Sequence, residues 1–168
     1  TPERLSPQQL YAGVELALER GCKLLQLRAA HLPEADYKIL AQRLQVLCAG
    51  RAQLMLKGDL AWQAEFPQAG WHLTAQQLHE LAGQTRPIAR DRWLAASCHS
   101  IEELELAAAL QVDFVTVSPV LPTQTHPGAA TLGWDAAQTL LRQFNAPVFL
   151  LGGLTQQDIA RARSIGGQ

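Results

Sequence analysis

The residues suited to chemistry stand at the ends of short apolar runs. In Leu24-Leu25-Gln26-Leu27-Arg28, Gln26 and Arg28 alternate and so share one face of a strand. On an interior face a guanidinium needs either an anionic ligand or a structural carboxylate beside it. Ser97 and His99 follow another apolar run. A polar residue there either meets a ligand or caps the next helix, and Ser100 is the better cap. The segment Ser118-Pro119-Val120-Leu121-Pro122-Thr123-Gln124-Thr125-His126-Pro127-Gly128-Ala129 is long for a connection, and long loops in compact domains tend to be functional. Thr123 and Thr125 offer hydroxyls, and His126 an imidazole that titrates near neutrality. The alternative is a proline-stiffened surface loop. Gly152-Gly153 ends an apolar run shortly before Thr155, a helix cap. Backbone N–H groups at such a turn can cradle a phosphate, because glycine allows close approach and a helix start favours anions. The same pair also suits a plain tight turn. His31, His72 and His79 lack metal-ligand spacing, and His72 lies inside a strand pattern as a core histidine. Trp62, Trp71, Trp93 and Trp134 are scattered and read as packing residues.

The elements that position these residues alternate strictly. Ser6-Pro7-Gln8-Gln9 opens a helix that stops at Gly21. Lys23–Arg28 reads as a strand, and Pro33 opens a helix with Tyr37, Leu40, Ala41, Leu44 and Leu47 at helical spacing. Strands are expected at 53–57, 70–73, 93–97, 113–117 and 147–151. Helices are expected at 60–66, from Thr74 to Leu81, from the capping box Ser100-Ile101-Glu102-Glu103 to Leu110, at 134–144 and from Thr155 onward. Six apolar strands alternating with seven helices mean a parallel sheet covered by helices. An open doubly wound sheet suits the length, whereas polar or glycine-bearing segments after many strands, rather than at one switch point, favour a (β/α)₈ TIM-type barrel.

The 168 residues suffice for one domain with a sizeable core, and no linker suggests a second. A formal net charge of −1 leaves no basic excess for nucleic acid. No apolar run approaches a membrane span, and Thr1-Pro2-Glu3-Arg4 does not read as a secretory signal. Cys22, Cys48 and Cys98 are odd in number and form no C-x-x-C, which excludes a disulfide framework or zinc ribbon and fits a cytoplasmic location.

In order and spacing, Leu25-Gln26-Leu27-Arg28, Gly70-Trp71-His72-Leu73, Ala96-Ser97-Cys98-His99, the Ser118–Gly128 loop and Pro147–Leu154 resemble the thiamine phosphate synthase family, which includes thiazole tautomerases. The resemblance covers nearly the whole chain and implies a (β/α)₈ barrel. It also implies an enzyme joining a pyrimidine pyrophosphate to a thiazole phosphate with Mg²⁺ assistance. Gln26, Arg28, Ser97, Thr123, Thr125, Gly152 and Gly153 match the family's ligand positions, the two glycines as a phosphate turn. Other positions depart. Ala30 stands where the family has lysine in Q-L-R-x-K, and His126 where the T-x-T-K loop has lysine. Met55-Leu56-Lys57-Gly58 replaces an Asn-Asp pair, and Gln77 stands at the second metal aspartate. Mg²⁺ is thus expected of the family while its ligands are missing here.

The expected function is a degenerate synthase-like domain that binds a phosphorylated thiazole- or thiamine-like molecule. The alternatives are an active synthase or tautomerase, or a generic α/β domain. The S-P-V-L-P-T-x-x-H-P-G-A pattern also resembles synthase-like domains fused behind a Nudix hydrolase. The chain would then be an accessory domain to an 8-oxo-dGTP-type hydrolase, whose own motif is not in these residues. The chain opens on a helix and closes on Ser164-Ile165-Gly166-Gly167-Gln168, so the barrel is expected to lack its first and last strands. Its unpaired edges would be completed by a longer chain or by another copy in a homo-oligomer.

Overall fold

The structure, a computed structural model, describes residues 6–123, 128 and 130–168. The chain divides into two compact units, residues 1–72 with 90–93 and residues 73–89 with 94–168. Among the described residues there are six strands, six α-helices and two 3₁₀ turns.

The first unit begins with α1 (Pro7–Glu19), where Ser6 and Gln9 close the expected capping box: the Gln9 amide N–H donates to Ser6 Oγ at 3.3 Å and the Ser6 N–H to Gln9 Oε1 at 2.9 Å. Then follow β1 (Leu24–Arg28), α2 (Glu34–Cys48), β2 (Gln53–Lys57) and the start of β3 (Gly70–Leu73). The strands are parallel, with Leu27 opposite Leu56 and Leu56 opposite Trp71. These three side chains are fully buried and form the apolar face of the sheet. Each stabilises the fold by roughly 2–3 kcal/mol relative to exposure. α2 buries Tyr37, Leu40, Ala41, Leu44 and Cys48 at its 3.6-residue period. Gly70 has to be glycine: a Cβ there would meet the Met55 thioether and, at 2.7 Å, the Trp93 carbonyl oxygen. The Arg92 guanidinium holds the approach to β3, donating to the Ala69 carbonyl from Nε (3.0 Å) and Nη2 (2.8 Å), to the Phe66 carbonyl (2.9 Å) and to Gln63 Oε1 (2.8 Å).

The second unit carries α3 (Ala75–Glu80), β4 (Leu94–Cys98), α4 (Ile101–Ala109), β5 (Phe114–Val117), α5 (Gly133–Leu141), β6 (Val148–Leu150) and α6 (Ile159–Ser164). β4, β5 and β6 pair in parallel and in chain order. Ser97 lies opposite Thr116, and Thr116 opposite Phe149. Phe114 and Phe149 meet edge to face, with ring centroids 5.4 Å apart. Asp113 starts β5: its Oδ2 accepts the Leu94 N–H at 2.7 Å and Arg86 Nη2 at 2.8 Å.

Three expected elements differ. Residues 60–64 form a 3₁₀ turn rather than a helix to 66, capped by Asp59, which accepts the Ala61 N–H at 2.9 Å. Ser100 caps α4, but its capping box is not closed: the Glu103 carboxylate reaches past Ser100 to the His99 N–H. Thr155 opens a 3₁₀ turn, Gln156–Asp158, and only then does the six-residue α6 begin. No helix among the described residues is long and apolar enough to cross a membrane.

Candidate functional site

In the second unit the ends of β4, β5 and β6 are laced together by backbone. The Ser118 N–H donates to the Cys98 carbonyl at 3.3 Å, the Val120 N–H to Leu151 at 2.9 Å, and the Leu121 N–H to Gly152 at 3.0 Å. The two glycines have consecutive left-handed conformations, φ +92° at Gly152 and +68° at Gly153. Both lie hard against the 119–122 segment. A Cβ on Gly152 would come within 2.6 Å of Pro119 Cβ, and one on Gly153 would strike the Leu121 and Pro122 carbonyls. Glycine is therefore required twice over, by conformation and by space. The N–H groups of Gly152 and Gly153 take no acceptor among the described residues. They form a short run of donors of the kind that holds an anion.

The expected helix-start contribution at Thr155 is corrected. The Asp158 carboxylate accepts both the Thr155 N–H (2.8 Å) and its hydroxyl (2.9 Å), and these bonds hold its pKa below the ordinary range. An acid already answers that helix end, so an anion at this turn rests on the glycine amides.

Ser97 is 8% exposed, and Thr116 Oγ1 lies 3.4 Å from Ser97 Oγ. His99 is more engaged than its sequence position suggests. Its Nδ1–H donates to the Ser118 carbonyl at 2.5 Å, while its backbone N–H is held by Glu103. Glu103 Oε1 also lies 3.6 Å from His79 Nε2. This His99–Glu103 clamp sets the start of the long loop, and a glutamate at the third helical position was its only trace in the sequence. Thr123 is half-buried. Thr125 and His126 lie outside the described residues.

In the first unit the expected burial of Arg28 is corrected. Leu27 is fully buried, while Arg28, the last residue of β1, is exposed at the strand end. Gln26 is half-buried, and its Nε2 is buried with no hydrogen-bond partner. Lys57 stands opposite Arg28 in register. Beyond the pairs Met55–Gly70 and Leu56–Trp71, the next position of β2 is Lys57 and the next of β3 is His72. His72 is 2% exposed, and its pKa falls to about 3, first through burial and then through the charge of Lys57. It is the core histidine expected. Trp71 is buried as expected for packing, whereas Trp93 is 46% exposed.

The donor set does not fit Mg²⁺, which selects hard anionic oxygens. Lys57 contributes an ammonium. The Gln77 side-chain oxygen accepts the Thr74 N–H at 2.9 Å, and Thr74 Oγ1 accepts the Gln77 N–H at 3.1 Å, so the amide at this position closes a helix cap.

Residues 1–167 match the family model TMP-TENI, thiamine monophosphate synthase. The thiamine-phosphate synthase of Thermosynechococcus vestitus is 34% identical over 155 residues, covering 91% of this chain and 44% of that protein. The thiamine-phosphate synthase of Fusobacterium nucleatum is 24% identical over 163 residues, covering 96% of this chain and 78% of that protein. The chain thus spans less than half of the first relative. Thiamine phosphate pyrophosphorylase from Pyrococcus furiosus superposes with a TM-score of 0.70 at 17% identity, covering 98% of this chain and 77% of that one. This likeness shows the fold, a TIM-like α/β architecture of which six parallel strands are present among the described residues.

Proposed function

Since the chain belongs to the thiamine monophosphate synthase family, we propose that it is a synthase-like domain that binds a phosphorylated thiazole- or thiamine-like molecule without catalysing its synthesis. The observation that carries this reading is the Gly152–Gly153 turn. Two left-handed glycines packed on the backbone of Leu121 and Pro122 present amide donors that no side-chain change can remove. Ser97 and Thr123 lie on the segments that follow β4 and β5 and supply hydroxyls for the rest of such a ligand. Against catalysis stands the chemistry of the leaving group. Expelling pyrophosphate needs positive charge that tightens as the bond breaks, which a carboxylate-held Mg²⁺ provides. Lys57 and Gln77 stand where the sequence resemblance places the metal ligands.

Two measurements test this on the full chain. Titration with the thiazole phosphate substrate of synthases should give saturable binding, lost in Gly153→Val. Incubation with both thiamine precursors and Mg²⁺ should give no thiamine phosphate above background. Turnover on the order of 1 s⁻¹ or more overturns the non-catalytic part. Absence of saturation overturns the binding part.

A further inference from the structure

We propose that the open end of the β1–β2–β3 sheet is a metal-free subsite for a phosphate or diphosphate group, in which the Lys57 ammonium and the Arg28 guanidinium supply the charge and the Gln26 amide a directed hydrogen bond. The inference goes beyond the binding reading above. It rests on the first unit alone and does not involve the glycine turn.

The register carries the geometry. Gln26 pairs with Met55 and Met55 with Gly70, while one strand step further Arg28 pairs with Lys57. Strand alternation puts Gln26, Arg28, Met55, Lys57, Gly70 and His72 on one face, opposite the apolar row of Leu27, Leu56 and Trp71. Two independent observations agree with that assignment. A Cβ on Gly70 would collide with the Met55 thioether, so the Met55 side chain leans over the same face. The charge of Lys57 is felt by His72, so the ammonium lies on the face His72 shares. The lower layer is therefore Gln26, the Met55 thioether and the side-chain-free Gly70. The upper layer, at the carboxyl ends of the strands, is Arg28, Lys57 and His72.

The charges of this layer point to one chemical class. Neighbouring strands stand about 4.8 Å apart, so two cations in register repel, and an anion between them converts that repulsion into two charge-assisted contacts. His72 adds no charge, since burial keeps it neutral over the whole working range. Below the pair, the buried Gln26 Nε2 is a donor without an acceptor. Such a group is unfavourable in a folded protein unless an acceptor reaches it, which marks the site as built for an oxygen-rich ligand. An ammonium, an unpartnered amide donor and a guanidinium complement a phosphoryl oxygen cluster, and the bidentate fork of Arg28 suits phosphate geometry. The same set repels a divalent cation. Lys57 thus holds a phosphate in the place where a metal would otherwise do so.

The test is calorimetric titration of the full chain with inorganic pyrophosphate, once in EDTA and once in excess Mg²⁺. Wild-type protein should bind saturably in EDTA and no tighter in Mg²⁺. Lys57→Met should weaken binding by about tenfold or more, the loss of one charge-assisted contact, and Lys57→Arg should restore it. Gln26→Leu should weaken it too. Gly153→Val should leave pyrophosphate binding unchanged, and Lys57→Met should leave thiazole phosphate binding unchanged, so the two sites fail separately. Binding that requires Mg²⁺, no saturation by about 10 mM pyrophosphate in EDTA, or a Lys57→Met variant within about twofold of wild type overturns the proposal. The wild-type comparison in EDTA and Mg²⁺ stands whether or not a variant folds.

Discussion

Protonating His72 should unfold this protein by a predictable amount. The imidazole is 2% exposed and lies within the field of Lys57, and its pKa falls from 6.5 to about 3. In the unfolded chain it titrates near its ordinary value, so between the two values the unfolded state binds the extra proton. Stability tied to His72 is therefore complete above pH 6.5 and is lost as pH falls toward 3. At pH 5 the offset from the unfolded value is about 1.5 units, and at about 1.4 kcal/mol per unit the loss is about 2 kcal/mol. Urea denaturation of wild type and His72→Leu at pH 7.5 and pH 5 isolates this amount. The substitution shifts absolute stability at both pH values, whereas only wild type carries the imidazole's share of the pH dependence. Wild type should lose about 2 kcal/mol more than the variant between the two conditions. Equal losses in the two proteins would refute the reasoning, because the proton would then be bound equally in both states.

Two further perturbations read the second unit. Gly153→Ala forces a Cβ into a left-handed conformation and against the Leu121 and Pro122 carbonyls, and should lower unfolding free energy by about 2–5 kcal/mol in urea titration. A change below about 0.5 kcal/mol would show that the turn is not packed as described. Asp113→Ala removes the acceptor of both the Leu94 N–H and Arg86, and should cost about 1–3 kcal/mol. Asp113→Asn keeps an acceptor oxygen and should cost less, and equal losses in the two variants would assign the effect to the ion pair alone.

The order of elements was legible because each signal was local. Ser6 with Gln9 and Thr74 with Gln77 announced helix starts that the structure builds with the expected hydrogen bonds. β2 and β3 fell where short apolar runs stood between polar turns. The errors arose where a side chain had a choice of partner. Glu103 serves the His99 N–H rather than Ser100, which no spacing rule distinguishes, since both amides lie within reach of one flexible carboxylate. Asp158 takes the Thr155 amide and hydroxyl, producing a 3₁₀ turn where a longer helix was expected. Arg28 was expected inside because it alternates with Gln26. Alternation decides the face of a strand and is silent about depth along it, and Arg28 is the last residue of its strand.

The same limit explains why Lys57 was read from the sequence only as a missing ligand. Matched against a family pattern, Met55-Leu56-Lys57-Gly58 registers the absence of an Asn-Asp pair. Strand register is needed to see that the replacement is a cation facing another cation across one strand gap, above a buried amide with no partner. A carboxylate-bound metal and a lysine both attract phosphate, but they differ in what they do to it. The metal draws a divalent charge onto the leaving oxygens and strengthens as they become more negative. A single ammonium on a flexible stem holds an intact anion well and stabilises its expulsion weakly. On that argument, exchanging carboxylates for Lys57 moves the site from breaking a diphosphate ester toward retaining one. Binding without turnover is then the direct consequence of the charge exchanged.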